Sequence, residues 1–309
     1  MFHSKPLKYF TIKNFNLIME INKFMQQFAE KRFKLTSILR NSTDAQIQSI
    51  VMILISAIYI FIYMISHFVK NKFSYDYKPK MIASASFRLI IYTFMAIYGI
   101  TNLRNKTWVY VPNSWNESLL GAGSNSICMG ARLHYQFELC IYYFQLCLIF
   151  TDKKNKDFIN LLIHHLITLF LIKYSYFLGI VRVGQVIMVL HDIADPFLEL
   201  ARICVKIKNT RIANISFCVF TTIFFSTRIL FFPVYCVLPF SAHAFSKSIQ
   251  TIRHPVTYKT LSICLYILYG LNIIWFFYII RLLFMIVTKN QPVKDLTEKS
   301  SDDGSIAPK

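Results

Sequence analysis

Between Phe158 and Arg202 the chain reads FINLLIHHLITLFLIKYSYFLGIVRVGQVIMVLHDIADPFLELAR. Two apolar segments of membrane length meet at a break around Gly179, and between them they carry His164, His165, Arg182, His191, Asp192, Asp195, Glu199 and Arg202. Ionisable groups in hydrocarbon are costly, so they face a bundle interior or a wet cavity and mark a functional site. Imidazole serves near neutral pH as base or nucleophile, and a carboxylate can hold its tautomer or steady an imidazolium. Five imidazole and carboxylate groups fall within 32 residues, which exceeds what a purely structural membrane helix needs.

Spacing sets what these groups can share. On one helix His191 and Asp195 are i and i+4, Asp192 lies beside them, and Glu199 extends the stripe by a turn. Pro196 removes a backbone N–H and crowds the carbonyl of Asp192, so a kink is expected beside Asp195, with a freed carbonyl in need of a partner. His164 and His165 are consecutive and point about 100° apart. One of them should therefore face the neighbouring span while the other orients it.

The elements that hold these residues follow from composition. The chain has 309 residues, 55% of them hydrophobic, with a net charge of +19 and a mean hydropathy of +0.45. Apolar runs of roughly 18–28 residues are long enough to cross a bilayer. They predict an all-α polytopic membrane protein of about seven helices, at 47–69, 82–100, 134–151, 158–178, 180–205, 212–240 and 260–288. The basic residues lie largely in the links between spans, as juxtamembrane charge does, and no nucleic-acid module is present. Nucleic acid is therefore excluded as a partner.

The chain divides into a lumenal segment 1–46, a first span with its basic link 47–79, a six-span domain 80–288 and a cytoplasmic tail 289–309. Residues 15–28 could lie on the membrane as an amphipathic helix, and no cleavable signal peptide is expected. Lys and Arg after the odd-numbered spans and in the tail number about 14, against about six in the opposite loops and about eight in 1–46, so charge alone favours a cytoplasmic C-terminus only weakly. Sequons at Asn41, Asn105 and Asn116 share the face read as lumenal, whereas the one at Asn214 lies within a span. Ser300 and Ser301, beside two acidic residues, are candidate phosphorylation positions in the tail.

The other polar groups have simpler expectations. His67 and His134 lie near predicted span ends, as hydrogen-bond partners or interfacial residues. Arg88, Glu138 and Arg228 each require a partner, by default an internal one. The seven cysteines contain no CxxC pair and read as buried thiols. Only His164, His165 and His191 fall in the membrane centre, so no metal is expected.

These residues resemble the TLC domain, and more narrowly the longevity-assurance motif of ceramide synthases. The ordered pattern is His164-His165, Ser175-Tyr176, Arg182-x-Gly184, His191-Asp192, Asp195, Leu198-Glu199 and Arg202. Flanking similarity includes SFRLIIYTF (86–94), YQFEL (135–139), KDF (156–158) and TRILFFP (227–233), so the resemblance covers roughly residues 80–285. Phe87 stands where the family has Trp, Ser84 where Glu is common, and Arg202 where Lys is usual. The link after the first span is too short for the Hox-like domain of several vertebrate members.

The resemblance implies a helical bundle around a central lipid cavity in the endoplasmic reticulum membrane. It implies an acyltransferase that moves a fatty acyl group from acyl-CoA to the amine of a sphingoid base, and it leaves a homo- or hetero-dimer open. Acyl-CoA is a co-substrate, and no bound cofactor is implied. His164 would accept the acyl group or act as base, with His165 assisting. His191 would take the amine proton, and Asp192 and Asp195 would fix imidazole tautomers. Arg182, Glu199, Arg202, Arg228, Glu138, Ser175 and Tyr176 would contact substrate or hold the structure. Lys153, Lys154, Lys206 and Arg211 could attract the CoA phosphates, and 238–259 bears on acyl length in the family. A non-enzymatic TLC protein is the alternative.

Overall fold

Thr43 opens the first helix, α1 (Asp44–Phe73). Its hydroxyl accepts from the Gln46 N–H while the Gln46 side chain accepts from the Thr43 N–H, a reciprocal capping box. The computed structural model describes Leu39 and residues 41–73, 79–104, 106–110, 127–151, 157–246 and 255–289. The 15–28 helix, the sequons at Asn105 and Asn116, Lys153, Lys154, and Ser300 and Ser301 lie outside them. Two compact units emerge, Met1–Ser49 and Ile50–Lys309, and the polar hairpin lies wholly in the second.

After α1 come α2 (Pro79–Arg104), a 3-10 turn (Thr107–Tyr110), α3 (Met129–Thr151), α4 (Phe158–Phe177), α5 (Val181–Asp192) and α6 (Asp195–Lys206). Then follow α7 (Thr210–Phe224), a π-helical stretch (Phe225–Val237), α8 (Leu238–Ala244) and α9 (Pro255–Lys289). The described residues of this all-α membrane protein contain no strand. Only closed backbone hydrogen bonding is tolerated in lipid, and helices supply it within each segment. Large apolar side chains cover the outside, among them Ile53, Phe61, Phe68 and Phe277.

Among the described residues, five stretches are long and apolar enough to cross a membrane: Asp44–Lys72, Pro79–Arg104, Phe158–Phe177, Thr210–Ala244 and Pro255–Ile286. The expected third and fifth spans do not meet that standard. α3 is 23 residues long but carries His134, Gln136, Glu138 and Gln145. The expected fifth span is split into α5 and α6 at Ile193–Ala194. Both shortfalls arise from the residues that build the site.

Each break has a local cause. α4 ends in a Schellman turn: Gly179 takes φ 75°, its N–H bonds the Tyr176 carbonyl, and the Ile180 N–H bonds that of Ser175. Pro196 stands in the first turn of α6, where its missing N–H costs least, so the helix restarts there. The sequence places the end of the sixth span near Pro233 and Pro239, yet the helix runs through both to Ala244. The wider π turn around Pro233 gives room to a ring that would crowd an α turn.

α5 is the central element, touched by α2, α3, α4 and the π-helical stretch. One face packs Val183, Val186 and Val189 into a core with Phe232, Val237, Phe240, Leu261 and Leu265. The other face meets Tyr135, Leu139, Leu169 and Ile172 through Val181 and Met188. α6 packs Ala201 into a separate core with Phe217, Phe220, Phe224 and Leu282. Among the cysteines, Cys140, Cys204 and Cys236 are buried, but Cys147 and Cys218 are exposed on helix surfaces and Cys128 is exposed just before α3, contrary to expectation; all are free thiols. An exposed thiol in an apolar span meets lipid rather than water, and so remains compatible with its weak polarity.

Candidate active site

The helices leave a cavity lined by His164, His191, Glu138, Asp192, Tyr135, Tyr142 and Ser175. Its remaining wall is apolar, with Leu171, Ile187, Phe240, Leu261, Leu265 and Leu268. Of the five residues expected to perform the chemistry, His164, His191 and Asp192 line this space. His165 and Asp195 stand behind it, engaged with other groups.

The three imidazoles are held differently. His191 donates from Nδ1 to the Ile187 carbonyl at 2.8 Å, which leaves Nε2 as acceptor, 3.3 Å from the Asn272 amide nitrogen. His165 donates from Nδ1 to the Leu161 carbonyl at 2.9 Å, and its Nε2 lies 3.2 Å from the Gln145 amide oxygen. The Tyr92 hydroxyl donates to that same oxygen. His164 Nδ1 has no hydrogen-bond partner among the described residues, and its ring packs edge-on to Trp275 and His165. His164 is therefore the imidazole with lone-pair capacity to spare at the cavity wall.

The aspartates do not orient these rings, contrary to expectation. Asp195 Oδ1 accepts from Arg228 Nη2 at 2.5 Å, and the same guanidinium donates to the His191 carbonyl. Asp192 instead lies beside Glu138 and His134. Backbone carbonyls one turn back take over tautomer control, because the nearest acceptor to a helical His Nδ1 is its own i−4 carbonyl. The backbone keeps helical dihedral angles through Ile193 and Ala194, so the break at Pro196 is one of hydrogen bonding rather than of direction.

Arg88 and Arg228 have the internal partners expected of them, whereas Oε1 of Glu138 has no hydrogen bond among the described residues. Arg88 grips Glu199 with both ends, Nε to Oε1 at 2.8 Å and Nη2 to Oε2 at 3.1 Å, and Arg202 adds a bond of 2.7 Å. Arg228 closes the gap between α5 and α6 and stacks over Phe224. A carbonyl freed at the proline break does find a partner, and it is that of His191.

The remaining motif residues shape the hairpin corner. The Tyr135 hydroxyl lies 3.2 Å from Ser175 Oγ and donates to the Ile180 carbonyl, while Tyr176 packs against the Tyr135 ring. A Cβ at Gly184 would overlap the Tyr135 hydroxyl, which accounts for glycine two residues after Arg182. Arg182 sits 5.5 Å from the Trp108 ring in a cation–π contact.

The sequence reading missed Asn272, Gln145, Tyr92 and Trp275. Asn272 and Gln145 carry the signal that singled out the histidines, a polar side chain inside an apolar run. His134 was assigned to a span end, but α3 begins five residues earlier at Met129, and the side chain is fully buried. Neither of its ring nitrogens has a hydrogen bond among the described residues, so the hydrogen-bond-partner reading fails as well.

This architecture, a helical bundle with a polar hairpin against an internal cavity, defines an all-α polytopic membrane protein. Residues 81–281 match the TLC domain, and the chain belongs to that family. Within it the similarity runs to ceramide synthases. Ceramide synthase 4 of Bos taurus is 29% identical over 232 residues, 74% of this chain and 57% of the relative. Ceramide synthase 3 of Homo sapiens is 29% identical over 72% of this chain and 56% of the relative. Ceramide synthase hyl-1 of Caenorhabditis elegans is 28% identical over 72% and 62%. The chain spans less than two thirds of the length of these relatives.

Proposed function

We propose that this protein is a ceramide synthase, an N-acyltransferase that moves a fatty acyl group from acyl-CoA to the amine of a sphingoid base. The observation that carries this reading is the imidazole of His164, its Nδ1 without a hydrogen bond, lining the same cavity as His191. The similarity to ceramide synthases supports it. A nitrogen of His164 attacks the thioester carbonyl; a C–N bond forms, the C–S bond breaks, and coenzyme A leaves as thiolate. The amine then attacks the acyl-imidazole carbon, the new amide bond forms, and the His164 imidazole is released. The amine proton passes to His191, whose Nε2 is its unprotonated nitrogen.

Both substrates have chains that suit the apolar wall, and excluding water there protects the thioester and the acyl-imidazole from hydrolysis. Acyl-CoA serves as co-substrate, and no organic cofactor enters the transfer. The endoplasmic reticulum membrane, with the C-terminus cytoplasmic, places basic link residues such as Lys206 and Arg211 where CoA phosphates arrive.

The test is ceramide formation by purified protein given acyl-CoA and a sphingoid base, followed by mass spectrometry. Product is expected from the wild type and not from folded His164→Ala. With acyl-CoA alone, intact-protein mass should rise by one acyl group in the wild type only. Ceramide without any adduct under rapid quench points to direct transfer with histidine as base. No ceramide across a range of acyl lengths overturns the enzyme reading in favour of a non-catalytic TLC protein.

A further inference from the structure

We propose that His134, Glu138 and Asp192 form a binding site for one divalent first-row transition-metal ion, zinc being the best match. His134 and Glu138 are one turn apart on α3, and Asp192 closes α5 opposite them. One ligand atom from each lies within 4.8 Å of the others, and all three residues are buried. One edge, His134 Nε2 to Glu138 Oε1, is 3.7 Å. A tetrahedral ion with bonds of about 2.1 Å has edges of about 3.4 Å, so that edge is near closure and the set would contract around an ion.

Unmet bonding capacity points to the same place. Both ring nitrogens of His134, Oε1 of Glu138 and Oδ2 of Asp192 are buried without a hydrogen-bond partner among the described residues. Three neighbouring side chains that each carry an unpartnered buried atom are uncommon, because buried polar groups are nearly always satisfied. The two nearby guanidinium groups have other carboxylates to serve, Arg88 with Glu199 and Arg228 with Asp195. A dication would balance the Glu138 and Asp192 carboxylates, which otherwise meet each other in an apolar interior.

The donor set selects the ion class. One imidazole nitrogen and two carboxylate oxygens suit zinc and its first-row neighbours, not a thiolate-seeking or purely oxygen-seeking cation. Three protein ligands leave a fourth position open. Glu138 and Asp192 line the cavity, so the ion would border the space beside His191. Sequence reading had set a metal aside because it considered only His164, His165 and His191; the ligand histidine here is a fourth one. Metal binding by these residues does not require the acyl-transfer reading.

Tag-free protein purified without chelator should carry about one zinc per chain by inductively coupled plasma mass spectrometry. After chelation and reloading with cobalt(II), visible d–d bands of a nitrogen–oxygen site should appear. His134→Leu and Glu138→Gln should each lower metal content at least tenfold while the protein stays monodisperse. Wild-type protein that holds no zinc, manganese or iron after reloading overturns the site. Metal content unchanged in both variants overturns it as well. Should neither variant fold, the wild-type cobalt spectrum decides: bands support the site, and their absence refutes it.

Discussion

Arg228 spans the break between two helices: its guanidinium reaches Asp195 Oδ1 at 2.5 Å and donates as well to the backbone carbonyl of His191. One side chain thus holds the last turn of α5 to the first turn of α6, and so sets where His191 stands in the cavity. Removing one partner of such a buried pair leaves an uncompensated charge and costs about 3–5 kcal/mol. Arg228→Leu and Asp195→Leu should each lower thermal stability in detergent and abolish ceramide formation. In a double-mutant cycle the two losses should be strongly non-additive, because both remove the same contact. Additive losses would show that the pair is not coupled.

Asn272 should act as a positioning residue for His191. Its amide nitrogen lies 3.3 Å from Nε2, the atom proposed to receive the amine proton. Asn272→Leu should lower kcat on the order of tenfold, the worth of about one hydrogen bond felt at the reacting group. KM for acyl-CoA should hardly move, since Asn272 contacts the ring and not the CoA. A rise in KM with kcat intact would assign Asn272 to substrate binding instead.

Gly184 and Tyr135 make a steric prediction. Because a Cβ at Gly184 would overlap the Tyr135 hydroxyl, Gly184→Ala should destabilise by about 1–3 kcal/mol. Adding Tyr135→Phe removes the colliding oxygen and should restore part of the loss. Thermal melts of the single and double variants would show it. If Tyr135→Phe makes the Gly184→Ala protein worse, hydrogen bonding by the hydroxyl outweighs the clash.

At Arg88 the geometry, not only the charge, is predicted to matter. Glu199 receives two parallel bonds from one guanidinium, which the point charge of lysine cannot reproduce. Arg88→Lys should lower the melting temperature and Arg88→Met should lower it further. Equal melting temperatures for Arg88→Lys and wild type would show that a single charge suffices.

Topology is testable without any assay of activity. A tag placed after Lys289 should be removed by protease added to sealed microsomes, as a cytoplasmic C-terminus requires. A protected tag would invert the orientation and move the CoA-facing rim to the other side.

What the chain determined alone was everything carried by local pattern. Apolar run length separated spans from links, since hydrocarbon admits only long apolar helices. The concentration of His164, His191 and Asp192 marked the cavity wall, because ionisable residues in a membrane need a reason to be there. Gly179 and Pro196 announced the hairpin turn and the helix break through backbone chemistry that no neighbour can override.

Partnership was another matter. Arg88 and Glu199 are 111 positions apart, Asn272 and His191 are 81 apart, and Arg228 and Asp195 are 33 apart. Which of several charges pairs with which depends on the rotation and depth at which distant helices pack, and hydropathy carries neither. Asp195 pairs with Arg228, and the Nδ1 atoms of His165 and His191 bond carbonyls of their own helices. His134 reached the interior only because α3 begins earlier than its apolar run and packs that turn inward. Tertiary packing therefore chose the partners of residues that the sequence could only flag, because contact between helices depends on shape along their whole length.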